Sequence, residues 1–315
     1  MAWIAWSLAG LVVLLALLAL GVVAVGRFLY RPRVWREQMR DVLILAAHQD
    51  DCVVMAGEYA IEAVEAGRRV EVLYLTNGDS KEESPWSERA CRRKQEAMAA
   101  WGSIGVGPDS IHLLGFSAAP IPGPSRITDE HSREARRRIV ELIAAMPKDS
   151  AVFIPAMGEL HVDHRTLRQI ALQALKQTGR DDLHIFEAPE YNSYLSLLRM
   201  PRKTFIYILA GIPLIRRWAG EMRREIAAPE EFPSGPRATI MPPDAARLER
   251  KRRMLEMFVS ENGQKLARVF GGSGRFRRIT NIEAALRDRP RGYLPLGAYR
   301  VGMMSLAGIL VWLAQ

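Results

Sequence analysis

Residues 41–52 read DVLILAAHQDDC: after Asp41 come six apolar residues, then His48, Gln49, Asp50, Asp51 and Cys52 in direct succession. A short aliphatic run without polar alternation is the pattern of a strand buried on both faces, the kind that parallel sheets contain. Polar side chains directly beyond such a strand lie at its carboxyl end, where open α/β sheets bind their ligands. Two carboxylates and an imidazole there are chemistry in a place that favours chemistry.

The chain on either side supports a sheet of this kind. Met55, Tyr59, Ala60 and Ala63 repeat at helical spacing through Met55–Glu65, before Gly67. Val70–Leu75 (VEVLYL) is a second strand, and Glu88–Trp101 a charged amphipathic helix. Ile111–Leu114 and Ala151–Pro155 (AVFIP) are further strands, separated by a helix over Asp129–Met146. Val162–Lys176 reads as helix and His184–Ala188 as a strand. Strands alternating with helices predict βαβ units, hence an α/β fold: a Rossmann-like, mostly parallel sheet with flanking helices. Past residue 200 the pattern weakens. Phe205–Ile215 is apolar but too short to span a bilayer, Asp244–Val259 is a charged helix, and Lys265–Arg300 holds Lys265 and eight arginines against Glu283 and Asp288.

The amino-terminal end is a different polymer. Residues 1–26 carry no charged side chain, and Trp3–Val25 is long enough for a helix to cross the roughly 30 Å hydrocarbon layer. Trp3 and Trp6 before it and Phe28, Tyr30 and Trp35 after it fit interfacial aromatic belts. No basic residue precedes the run, as a cleaved signal peptide would require, so a retained anchor is expected. Arg27, Arg31, Arg33, Arg36 and Arg40 then face only Glu37, which by the positive-inside rule places the rest of the chain in the cytoplasm. The expected organisation is an anchor at 1–26, a basic juxtamembrane segment at 27–40, a catalytic domain at 41–300, and an apolar tail at 301–315 that is interfacial or packed.

Composition excludes several classes. The chain has 315 residues, 49% hydrophobic and 25% charged, which rules out intrinsic disorder and collagen-like sequence. Cys52 and Cys91 cannot form a disulfide framework. A net charge of +9 comes with no nucleic-acid motif, and its arginines cluster beside the anchor and near the tail, so anionic lipid headgroups rather than nucleic acid are the expected partner.

A second cluster, His161-Val162-Asp163-His164, follows the AVFIP strand and opens a helix. His48 and Asp51, three residues apart at a strand end, can converge on one cation, and a histidine from the facing helix can complete the set. Two histidines and one carboxylate with open positions describe a catalytic zinc site. Asp50 could then accept a proton from water. The alternative is structural: aspartates at helix N-termini commonly cap free N–H groups.

The motifs together resemble the LmbE-like, or PIG-L, de-N-acetylases: AHQDDC (Ala47–Cys52), LTNGD (Leu75–Asp79), Arg93-x-x-Glu96 and HVDH (His161–His164), with Lys251…Ser260 as a late element. The order is right and spans roughly 41–260. The resemblance implies a zinc-dependent hydrolase, another divalent metal being an alternative, that removes acetyl from a GlcNAc-type sugar. His48, Asp51 and His164 would hold the metal, Asp50 would be the general base, His161 would stabilise the oxyanion or protonate the leaving amine, and Arg93 would contact sugar hydroxyls. Gln49 stands where the family pattern has proline and Cys52 where it has glutamate; Cys52 is expected to be buried and inert. Gly115–Ala118 lacks an aspartate the family often shows there. With the anchor, the expected acceptor is lipid-linked or membrane-proximal. A soluble glycoconjugate, or sugar–lipid binding without catalysis, are the alternatives.

Overall fold

The computed structural model describes residues 33–34, 40–81, 87–120, 124–156, 161–188, 239–242, 244–272 and 275–287. After a two-residue strand β1 (Arg33–Val34), the aliphatic run becomes β2 (Val42–Ala46), every residue of which is buried. With β3 (Val70–Thr76), β4 (Ile111–Phe116), β5 (Ala151–Pro155) and β6 (His184–Ala188) it forms a five-stranded parallel sheet in the order β6-β5-β2-β3-β4. The chain steps outward from β2 to β3 and β4, then returns to β5 on the other side of β2. The strand order therefore reverses between β2 and β5, and a cleft opens at their carboxyl ends.

Seven helices complete the described part: α1 (Asp51–Glu65), α2 (Glu88–Gly102), α3 (Asp129–Ala144), α4 (Val162–Thr178), α5 (Ala245–Glu256), α6 (Gly263–Phe270) and α7 (Ile282–Arg287). Alternate strand residues feed two cores. Ile44 and Phe153 face Met55, Tyr59, Trp101, Met254 and Leu255 from α1, α2 and α5. Leu43, Leu45 and Val152 face Ile139, Leu167, Ala171 and Ala285 from α3, α4 and α7. The result is the expected helix–sheet–helix layering. Phe153 anchors the first core, its ring centroid 4.8 Å from Tyr59, 5.2 Å from Phe186 and 5.8 Å from Phe276.

Three local differences from the sequence-based expectation have physical causes. The first helix begins at Asp51, four residues before the start read from the periodicity, because Cys52, Val53 and Val54 of its first turn are already buried in the core. The helix expected over Asp244–Val259 runs from Ala245 to Glu256, with the Asp244 carboxylate accepting the Arg247 N–H at 2.9 Å as its cap. The basic stretch after Lys265 contains a strand, β8 (Arg275–Arg278), that pairs antiparallel with β6 and with the short β7 (Thr239–Ile240), itself parallel to β1. Phe276 of that strand enters the core, but its neighbours in sequence are arginines, so the hydrophobic pattern does not announce it.

Among the described residues no helix is long and apolar enough to cross a membrane. The expected anchor at 1–26, most of the 27–40 segment, Phe205–Ile215 and the 301–315 tail lie outside the described residues.

Candidate active site

The two motif clusters leave β2 and β5, the strands flanking the reversal, so the topology alone brings them face to face. On the β2 side the turn is closed by the Asp51 carboxylate, whose Oδ2 accepts the His48 backbone N–H at 2.9 Å. Asp50 occupies the cap position of α1 but makes no side-chain cap bond. Neither aspartate is spent on the helix terminus, and the capping alternative does not hold here. On the β5 side His161 caps α4, its Nδ1 accepting the Asp163 backbone N–H at 3.2 Å, and Asp163 and His164 are buried in the first turn.

Three side-chain atoms meet between the clusters. His48 Nδ1 lies 3.0 Å from Asp51 Oδ2 and 3.1 Å from His164 Nε2, and His164 Nε2 lies 3.2 Å from Asp51 Oδ2. Donors spaced about 3.3 Å apart are what a tetrahedral zinc ion with bonds of about 2.0–2.1 Å takes up. Two imidazole nitrogens and one carboxylate oxygen are also a zinc-type donor set. The residues fit the ion on both counts. His161 borders the same point: His48, His161 and His164 each offer a nitrogen, all within 4.8 Å of one another.

Charge is tightly coupled in this cluster. Burial works against a charged His48, but Asp51 and Asp163 outweigh it and raise the imidazole to about 9. Burial would lift Asp51, yet His164 and His48 hold its carboxyl well below the ordinary range. Burial pushes His161 down, and the neighbouring His48 and His164 add to the effect. Since its Nδ1 accepts a backbone N–H, neutral His161 carries its proton on Nε2.

Asp163, lying between two predicted site histidines, was assigned no role from sequence. It is fully buried, and its Oδ2 lies 3.3 Å from His48 Nε2 while accepting the Ala119 N–H at 2.9 Å. A carboxylate on the far nitrogen of a ligand histidine fixes its tautomer and orientation. Its partner Ala119 comes from the loop after β4, the stretch that lacks the family's aspartate, so that loop supports the site through its backbone.

Asp50 sits beside the three-atom cluster with Oδ1 accepting Arg93 Nη2 at 2.8 Å. Burial and the adjacent Asp51 charge raise its carboxyl, against the pull of Arg93. Arg93, expected to reach sugar hydroxyls, is held by the protein: Nη2 by Asp50, Nη1 by Glu261 and Nε by Gln49 at 3.0 Å. Glu96 accepts the Ser260 backbone N–H at 2.9 Å and its hydroxyl at 2.5 Å, linking the Arg-x-x-Glu helix to the late Lys…Ser element. Cys52 is fully buried in the α1 core beside Tyr74, away from solvent as expected. Asp79 organises its own turn, accepting the Lys81 N–H at 2.9 Å and the Ser87 hydroxyl at 2.6 Å.

Residues 43–175 match the family model described as "PIG-L: GlcNAc-PI de-N-acetylase". The diacetylchitobiose deacetylase of Thermococcus kodakarensis is 28% identical over 147 residues, which cover 45% of this chain and 51% of that protein; the chain thus spans about half the length of this relative. Among solved structures, the N,N'-diacetylchitobiose deacetylase of Pyrococcus horikoshii aligns with a TM-score of 0.46 at 15% identity, over 81% of this chain and 88% of its own. GalB, the 4-carboxy-2-hydroxymuconate hydratase of Pseudomonas putida, aligns with a TM-score of 0.45 at 14% identity, over 76% and 96%. Neither structural likeness reaches a TM-score of 0.5, and the two proteins carry out different reactions.

Proposed function

We propose, from the match of residues 43–175 to the PIG-L family model, that this chain is a zinc-dependent hydrolase that removes an N-acetyl group from a GlcNAc-type sugar. The observation that carries the proposal is the meeting of His48 Nδ1, Asp51 Oδ2 and His164 Nε2 within 3.0–3.2 Å of one another, with Asp50 alongside. When bound there, zinc supplies Lewis-acid polarisation of the amide carbonyl and lowers the pKa of water. The chain's own residues do the rest. Asp50, its Oδ1 held by Arg93, accepts the proton of the attacking water on its other oxygen; burial and the Asp51 charge, which raise its carboxyl, favour that uptake. His161 stays neutral and directs Nε2–H as a donor toward the carbonyl oxygen as negative charge develops there. Asp163 holds His48 in register through its Nε2.

The test is acetate release from a panel of GlcNAc-bearing substrates, with metal content measured on the same protein. Wild type should contain zinc and release acetate, and Asp50→Ala should keep the metal while losing about 100- to 10,000-fold in rate. A wild type that holds no metal and releases no acetate would sink the proposal in favour of a binding protein.

For the acceptor, the uncharged residues 1–26 and the five arginines behind them favour a lipid-linked or membrane-proximal sugar presented at the cytoplasmic face. Equal turnover of bilayer-embedded and soluble acceptors, with or without residues 1–40, would count against it, as would digestion of the catalytic domain by protease added outside intact cells. The likeness to diacetylchitobiose deacetylase favours a second reading, a small soluble glycoconjugate. The same panel separates the two.

A further inference from the structure

Gln49 is a polar residue at 1% exposure, and both ends of its amide are used: Nε2 donates to the Thr76 carbonyl at 2.8 Å and Oε1 accepts Arg93 Nε at 3.0 Å. An arginine facing a carboxylate ordinarily forms a two-pronged fork that occupies both oxygens. Here Gln49 takes Nε, Glu261 takes Nη1, and Asp50 receives Nη2 alone. The arrangement has room made for it. Gly78 stands at φ +73°, and a Cβ there would lie 2.2 Å from Gln49 Oε1 and 2.3 Å from Arg93 Nε. Glu261 is in turn fixed to α2. Ser260 beside it gives both its N–H and its hydroxyl to Glu96, and Arg89 Nη2 donates to Glu261 Oε1 at 2.6 Å. Arg89, Arg93 and Glu96 fall at i, i+4 and i+7, one face of the helix, so α2 presents a single strip to the 259–261 turn.

We propose that Gln49 and Glu261 are positioning residues for Asp50, acting through Arg93: by occupying Nε and Nη1 they keep the guanidinium on one oxygen of Asp50 and leave the other for the proton. This rests on the de-N-acetylase function proposed above. It assigns a role to a residue at the motif position where proline is usual, and to one well beyond residue 175, where the family match ends.

The test compares full-length wild type with Gln49→Leu, Glu261→Ala and Glu261→Gln. Leu removes the Nε acceptor at similar volume; Ala frees Nη1; Gln retains an acceptor for it. For Gln49→Leu and Glu261→Ala we expect kcat to fall about 10- to 100-fold with KM unchanged, as for a misplaced reacting group, and zinc affinity to stay at the wild-type value. Glu261→Gln should recover kcat to within about threefold of wild type. Glu261 is 24% exposed, so its variants remain informative if Gln49→Leu does not fold. A readout independent of turnover is water exchange of the Arg93 Nε–H by nitrogen-15 NMR, slow in wild type and fast in Gln49→Leu. A raised KM at unchanged kcat would overturn the proposal in favour of direct sugar contact. An unchanged kcat in both variants, or slow Nε–H exchange in Gln49→Leu, would overturn it as well. Failure of wild type to release acetate from any substrate would instead sink the parent function.

Discussion

Replacing Asp163 by alanine removes two interactions whose consequences can be measured separately. Its Oδ2 accepts the Ala119 N–H at 2.9 Å and faces His48 Nε2 at 3.3 Å, in surroundings from which water is excluded. Leaving the buried Ala119 N–H without an acceptor costs about 1–3 kcal/mol, and this loss belongs to the metal-free fold. Freeing His48 to turn should weaken zinc binding about 10- to 100-fold, the usual effect of removing a partner behind a ligand histidine. The two effects separate in denaturant melts run with and without metal. At zinc held at about 100 times the wild-type Kd, binding adds about 2.7 kcal/mol to wild type. A variant binding 100-fold more weakly gains only about 0.4 kcal/mol from the same zinc. Asp163→Asn, whose amide oxygen can still accept the Ala119 N–H, should recover most of the metal-free stability and less of the affinity. Competition with a chromophoric chelator gives the affinities directly. If Asp163→Ala binds zinc within twofold of wild type while His48→Ala does not bind it, the carboxylate does not orient the ligand and the reasoning is wrong.

Other outcomes follow from packing and burial. Phe153→Ala, at the junction of three aromatic rings, should cost about 3–5 kcal/mol in a denaturant melt; a cost below about 1 kcal/mol would mean the core collapses around it. Gly78→Ala combines an unfavourable φ with contact at 2.2–2.3 Å, so it should reduce kcat at least as far as Gln49→Leu, and wild-type kcat would show that the loop gives way instead. Lys251, buried between α1 and α5 with Nζ 3.0 Å from the Gly272 carbonyl, is pressed down to about 8 by burial, with Glu58 opposing. The unfolded chain then binds the extra proton between about pH 8 and pH 10.5, so stability rises with pH across that window, by on the order of 3 kcal/mol. The wild-type minus Lys251→Met stability difference should therefore grow from about pH 8 to about pH 10; a flat difference would show that the lysine titrates normally.

Strands β2 and β5 were legible as unbroken apolar runs, β3 and β6 as short apolar runs interrupted by Glu71 and Glu187, and their alternation with amphipathic helices implied the parallel sheet. From there topology placed His48, Asp51, His161 and His164 together, since both motifs leave strands beside the reversal. What stayed hidden depends on distance in the chain. Asp163 matters through His48, 115 residues away, and Ala119, 44 away. Gln49 reads in sequence only as a replacement for the family's proline, because its partner Arg93 is 44 residues on. Nor does a lone arginine in a motif give any sign that Asp50, Glu261 and Gln49 all accept from Arg93 in the fold. The basic sequence of β8 hid a strand whose Phe276 is buried in the core.

The Arg93–Glu261 and Arg89–Glu261 pairs join points 168 and 172 residues apart, whereas the donor atoms of His48, Asp51 and His164 all come from the first 164 residues. His48 and His164 are themselves 116 residues apart, and closing a loop of 168 residues costs only about 0.3 kcal/mol more. The metal donors and the hold on the base are thus carried by separate stretches of chain. A substitution confined to the 259–261 turn should alter turnover while leaving zinc uptake as it was.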